Sequence, residues 1–130
     1  MQIGNIVTAF YKTGKYIGEI TAIREGFYTV KILAVLRHPT QGDLHNPKEV
    51  NVPFFHERKA LAFREQANIP EKTVHLYEGD VPDYFDTLKD ALQRLKERME
   101  QEDTPFSQKS IEALRGVQRE YELMYNLKWG

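Results

Sequence analysis

Phe27-Tyr28-Thr29-Val30-Lys31-Ile32-Leu33-Ala34-Val35-Leu36 is the run on which the fold turns. β-branched and aromatic residues dominate it, and Tyr28, Val30 and Ile32 alternate with Phe27, Thr29 and Lys31, the period of a half-buried strand. Arg24-Glu25-Gly26 precedes it, and glycine supplies the positive φ that a tight turn needs. Tyr16–Ile23, on the other side of that turn, is a second extended run. Gly18 in its middle marks a bulge or a sharp bend. Thr13-Gly14-Lys15 separates it from a third, Ile6–Tyr11, so the first part of the chain reads as a three-stranded meander.

Beyond Leu36 the pattern breaks. His38-Pro39-Thr40-Gln41-Gly42-Asp43-Leu44-His45-Asn46-Pro47 holds two prolines and a glycine, too interrupted for a strand or helix and long for a hairpin connection. It reads as a loop, of the kind that carries binding residues. Lys48–Val52 is expected to return as a fourth short strand ending at Pro53. For 54–67 two readings stay open: a helix without a clear apolar stripe, or a helical turn at 53–58 leading into a strand at about 60–66 with Leu61 and Phe63 inward. Asn68–Val81 reads as a connector with an extended piece around Val74–Tyr77, where His75 is expected to pack, and a turn at Glu78-Gly79-Asp80. Short antiparallel strands with one long connection suggest an SH3-like barrel.

From residue 82 the period changes to that of a helix. Tyr84, Leu88, Ala91, Leu92, Leu95 and Met99 form one stripe, with Asp83 as N-cap and Asp86 in the first turn. Thr104-Pro105 starts a second helix, striped by Ile111, Leu114, Val117, Tyr121 and Met124. The expected architecture is mainly β plus α: an SH3-like barrel with its loop and connector over 1–81, then a C-terminal helical hairpin over 82–130 packed on it as one compact unit.

Composition narrows the chemistry. A chain of 130 residues buries roughly two-thirds of its unfolded surface, enough for a core without staples. The absence of cysteine excludes a disulfide framework, a cysteine nucleophile, a thiolate zinc site and a lipidated cysteine. No apolar run approaches a membrane span, and Met1–Phe10 lacks the form of a signal peptide, so the expected location is cytoplasmic. The formal net charge of −1 does not advertise a nucleic-acid protein. It splits unevenly, however, leaving a mild positive excess over residues 1–52.

Motifs for catalysis are missing. Gly14-Lys15 resembles the end of a phosphate loop, but Ala9 stands where its first glycine is required and Tyr16 where Ser or Thr must hold magnesium. His38, Asp43 and His45 would offer two imidazoles and a carboxylate to a divalent ion if the loop folds back, although the spacing is nonspecific. His56-Glu57-Arg58-Lys59 echoes a phosphoacceptor histidine beside an acid, which requires a regular helix presenting the ring to solvent. Phe10, Tyr11, Tyr16, Phe27 and Tyr28, interleaved with Lys12, Lys15, Arg24 and Lys31, sketch a nucleic-acid-binding face. No paired carboxylates are singled out for acid/base work, and no cofactor or resident metal is expected.

Longer words of sequence carry a resemblance. Gly4-Asn5-Ile6-Val7, Ala9-Phe10-Tyr11-Lys12-Thr13-Gly14-Lys15-Tyr16-Ile17-Gly18-Glu19-Ile20, Val35-Leu36-Arg37-His38-Pro39, Gln41-Gly42-Asp43-Leu44-His45, Phe55 through Gln66 and Val81-Pro82-Asp83-Tyr84 are similar to the kinase-associated protein B family of spore-forming bacilli. The resemblance implies an SH3-like barrel with appended helices. It also implies an accessory role toward a membrane sensor histidine kinase that feeds the sporulation phosphorelay. The family name sometimes includes "lipoprotein", from which this cysteine-free sequence departs, so recruitment to the membrane through the kinase is the expectation. No catalytic residues carry over. The resemblance and the broken loop together nominate His38, Gln41, Asp43, His45, His56, Arg58 and Lys59 as protein contacts of a non-enzymatic activator. Homo-oligomerisation is left open. The competing readings are a nucleic-acid-binding SH3-like barrel, a metal- or ligand-sensing module and a phosphotransfer protein.

Overall fold

In the computed structural model, which describes residues 1–43, 48–52 and 55–129, the sheet grows from the Glu25-Gly26 hairpin. Gly26 takes φ 80° there, and it joins β2 (Gly14–Arg24) to β3 (Phe27–Arg37). β1 (Ile6–Tyr11) pairs with β2 on one side, and β4 (Gln66–Pro70) pairs with β3 on the other. A 3-10 turn at Glu71–Thr73 leads to β5 (Val74–Leu76), which closes on β1. All pairings are antiparallel, in the order β4-β3-β2-β1-β5. β1 also meets β4, which is not its ladder neighbour, so the sheet is strongly coiled.

Gly18 explains part of the coiling. The β2–β3 register shifts between Ile17 and Gly18, and a Cβ at Gly18 would lie 2.4 Å from Val30 Cγ1 and 2.6 Å from the Lys31 carbonyl oxygen. Bulge and close backbone approach coincide at one residue. In the β1–β2 turn the positive φ belongs to Lys12, at 53°, and not to Gly14. Gly14 instead makes room for the Tyr16 ring, whose hydroxyl would lie 2.5 Å from an added Cβ.

The strands after the meander differ from expectation. Residues 48–52 form turns and bends, so Lys48–Val52 is not a strand. The fourth strand is Gln66–Pro70, which straddles the end of the 54–67 segment, where a strand at about 60–66 is one reading, and the start of the expected connector. Its period is hidden, because only Ile69 of its five residues is buried. Described residues 55–58 are not helical, and 60–65 are not a strand, although the Arg64 N–H donates to the Ile32 carbonyl at 2.7 Å and the Ile32 N–H to the Glu65 carbonyl at 2.9 Å, just ahead of β4. Phe63 is 43% exposed rather than inward, and its ring lies beside Tyr84 and Phe85, at 5.5 and 6.2 Å between centroids. Two phenols hold Leu61: its N–H donates to Tyr16 Oη at 3.2 Å, and the Tyr84 hydroxyl donates to its carbonyl at 2.6 Å. Burial pushes the Tyr16 phenol up to about 12. Strand β5 falls where an extended piece is expected, but His75 on it is exposed opposite Thr8 instead of packed.

Helix α1 (Tyr84–Glu102) begins where Asp83 accepts the Asp86 N–H at 3.1 Å, and α2 (Pro105–Met124) follows at once. Thr104 and Ser107 form a reciprocal capping box that spans Pro105 at the first helical position. The whole α1 stripe is buried. On α2 the buried face runs through Phe106, Ser110, Leu114, Val117 and Tyr121, while Met124 is 55% exposed. The stripe therefore lies one turn toward the N-terminus of the expected one.

The chain divides into two compact units, 1–39 with 60–91, and 40–59 with 92–130. The first contains the sheet and the start of α1, with Val7, Ile17, Ile20, Val30, Ile32 and Leu88 in its core. The second joins the loop residues to the rest of α1 and to α2, around Leu92, Met99, Phe106, Leu114 and Tyr121. Within it Lys96 donates to the Gln118 side-chain oxygen across the two helices.

Candidate functional site

In the second unit, the two polar segments nominated from sequence run side by side. Gln41 makes the connection, using its side-chain amide as a substitute for a peptide group. Its Nε2 donates to the Arg58 carbonyl at 2.8 Å, and its Oε1 accepts the Arg58 N–H at 2.8 Å. The Gly42 N–H donates to the His56 carbonyl at 2.9 Å, and Arg58 Nε donates to the Gly42 carbonyl at 2.9 Å. These bonds give residues 41–42 and 56–58 a ladder that irregular backbone otherwise lacks. Gln41 is 3% exposed, as that role requires.

The ladder displays 55–59 outward. His56, Glu57 and Lys59 are exposed and Arg58 is half-buried. At one end the Phe55 ring packs against Phe106, 5.9 Å between centroids, with Lys109 Nζ 5.9 Å from the Phe55 centroid. At the other, Lys59 Nζ lies 2.7 Å from Glu120 Oε2 on α2. Both of those side chains are more than two-fifths exposed, so the pair orients the segment and adds well under about 1 kcal/mol. Between these ends, Glu57 lies against α2 at Gly116, where an added Cβ would come 2.4 Å from its carboxylate. Phe55, Glu57, Lys109, Glu112 and Ala113 line an open hollow of about 180 Å³. Its small volume and mixed charge suit a protein side chain better than a cofactor.

The nominated residues thus have different places. His56, Arg58 and Lys59 share one segment, with Gln41 supporting it from inside and Asp43 half-buried beyond Gly42. His45 lies outside the described residues. His38 belongs to the first unit and is 1% exposed, its Nδ1–H donating to the Pro39 carbonyl at 3.0 Å. Burial lowers its pKa to about 4, so the ring is neutral at physiological pH. Among the described residues no group of three or more His, Asp or Glu side chains stands ready for a metal ion. His56 is not on a helix, which removes the geometry that a phosphoacceptor histidine needs.

Glu57, Phe55 and the α2 face of Lys109, Glu112 and Gly116 were not nominated from sequence. One signal was present: a glycine inside a helix costs about 1 kcal/mol relative to alanine, which marks Gly116 as a point of close approach. In the first unit, the aromatic-basic face sketched from sequence separates. Tyr16 is core, whereas Phe10 and Phe27 are exposed at opposite ends of β2, opposite Lys15 and Arg24 respectively.

Comparison with known proteins agrees with this architecture. The profile of the family described as "Kinase associated protein B" matches residues 11–122. Kinase-associated lipoprotein B of Bacillus subtilis (strain 168) is 50% identical over 120 residues, which cover 92% of this chain and 94% of that protein. The crystal structure of kinase-associated protein B from Bacillus cereus is similar with a TM-score of 0.80 at 47% identity, covering 94% of this chain and 98% of that one. No helix among the described residues is long and apolar enough to cross a membrane. By sequence and by fold, the chain belongs to the kinase-associated protein B family.

Proposed function

We propose that the protein is a non-enzymatic accessory factor that binds a sensor histidine kinase of the sporulation phosphorelay and favours its active conformation. The family match carries this reading: the names of the relatives place them with a kinase. The coiled sheet, which we read as an SH3-like barrel, is a scaffold in this account. The contact surface is the 55–59 segment with the adjoining face of α2. His56, Arg58 and Lys59 make the polar contacts, joined by Asp43 and His45 from the loop, while Gln41 and His38 act from within their own units. An activator of this kind works only by differential affinity, binding the active state of the kinase more tightly than the inactive one.

Co-purification with the cytoplasmic part of the kinase, followed by autophosphorylation with and without this protein, tests the proposal. A complex and a faster rate are expected, with Lys59→Glu and His56→Ala each weakening the complex while the fold is unchanged. No complex at micromolar concentration together with an unchanged rate excludes direct activation. Acid-labile phosphate on His56 would instead indicate a phosphotransfer protein.

A further inference from the structure

The end of the β1–β2 hairpin carries a cluster that the kinase reading does not use. Phe10 stands opposite Lys15 in the β1–β2 register, and Lys15 opposite Arg37 in the β2–β3 register, so ring, ammonium and guanidinium form a row across three strands. Lys15 Nζ lies 5.2 Å and Arg37 Cζ 5.9 Å from the Phe10 ring centroid. At the hairpin tip Lys12 Nζ lies 5.4 Å from the Tyr11 centroid. Among the described residues no carboxylate is ion-paired with Lys12, Lys15 or Arg37. Two cations at the exposed Phe10 ring and a third at Tyr11, none with a carboxylate partner, therefore persist on a chain whose formal net charge is −1.

We infer that this patch adsorbs to an anionic phospholipid surface. Charge complementarity selects a polyanion, and the placement of the rings distinguishes among polyanions. Bases of a single strand stack on free aromatic faces, but Phe10 already meets two cations and Tyr11 one. An acidic peptide would have to match the exposed Lys12 and Arg37 and the half-buried Lys15 one by one, and ion pairs at the surface contribute little. The potential of an anionic bilayer acts on all three at once without any register. A half-exposed phenylalanine among cations also suits the headgroup level, where aromatic rings settle. Each cation near such a surface raises partitioning about fivefold, so the three give roughly a hundredfold preference over neutral lipid. This inference is independent of kinase binding.

The test is flotation of the whole purified protein with vesicles of phosphatidylcholine alone, or of phosphatidylcholine and phosphatidylglycerol in about equal parts, at about 50 and about 300 mM salt. Binding to the anionic vesicles alone, much reduced at the higher salt, is expected. The Lys15→Gln/Arg37→Gln double variant should lose at least about tenfold in partitioning with an unchanged circular dichroism spectrum. Lys12→Glu, at the exposed tip, gives the same reading should the double variant fold poorly. Absence of binding, equal binding to neutral vesicles, undiminished binding by folded variants, or tighter binding to an oligouridylate than to the vesicles would each overturn the inference.

Discussion

At the scale of single residues, Gln41 shows how a side chain can substitute for missing backbone structure. It satisfies both the N–H and the carbonyl of Arg58 while 3% exposed. Gln41→Ala should leave those groups without their partner and cost about 1–3 kcal/mol, read as a lowered urea midpoint. Under the proposed contact surface, the same variant should also weaken kinase binding by more than the loss of folded protein explains, because 55–59 is no longer held. A midpoint equal to that of the parent would show that the amide clamp is not a support. From sequence Gln41 was legible only as a polar loop residue. Its pairing with Arg58, seventeen positions away, has no local signature.

The elements divide into those that announce themselves and those that do not. The two helices are legible to within a residue at their starts, because Asp83 and Thr104-Pro105 are specific local signals and the apolar period is sustained over several turns. Thr104→Ala removes the acceptor for the Ser107 N–H and should cost about 1 kcal/mol, lowering the thermal midpoint, while Thr104→Asp should largely restore it. Equal midpoints for the parent and the alanine variant would refute the capping account. Strand β4 was missed for a physical reason. It is short and lies at the end of the ladder order, with a single buried residue, so no alternation distinguishes it from loop. The Lys48–Val52 segment failed in the opposite direction: its composition is strand-like, yet its residues form turns and bends.

Across the whole molecule, His38 couples stability to pH. Its pKa is lowered from 6.5 to about 4 by burial, so above pH 6.5 the ring is neutral both folded and unfolded and adds no slope. Between 6.5 and about 4 the unfolded chain takes up a proton that the folded chain excludes. Stability should therefore fall on acidification through this window, by about 3 kcal/mol in total, and the contribution levels off below it. Urea unfolding from pH 7 to 4 measures this, and His38→Gln should flatten that part of the profile whatever its effect at neutral pH. An identical pH slope in the variant would assign the effect to other groups.

Taken alone, the sequence determined the β-plus-α class, the three-stranded meander with its Gly18 bulge, both helices with their caps, and the family. These features rest on local chemistry: alternation, turn residues, caps and unbroken words of similarity. Only the tertiary structure decided that Gln66–Pro70 is the fourth strand, that Gln41 and His38 are interior, and that Phe10, Lys15 and Arg37 stand in one row. Each of those depends on which distant residue a side chain meets. Sheet register and long-range hydrogen bonding settle that, and neither leaves a periodic trace in the chain.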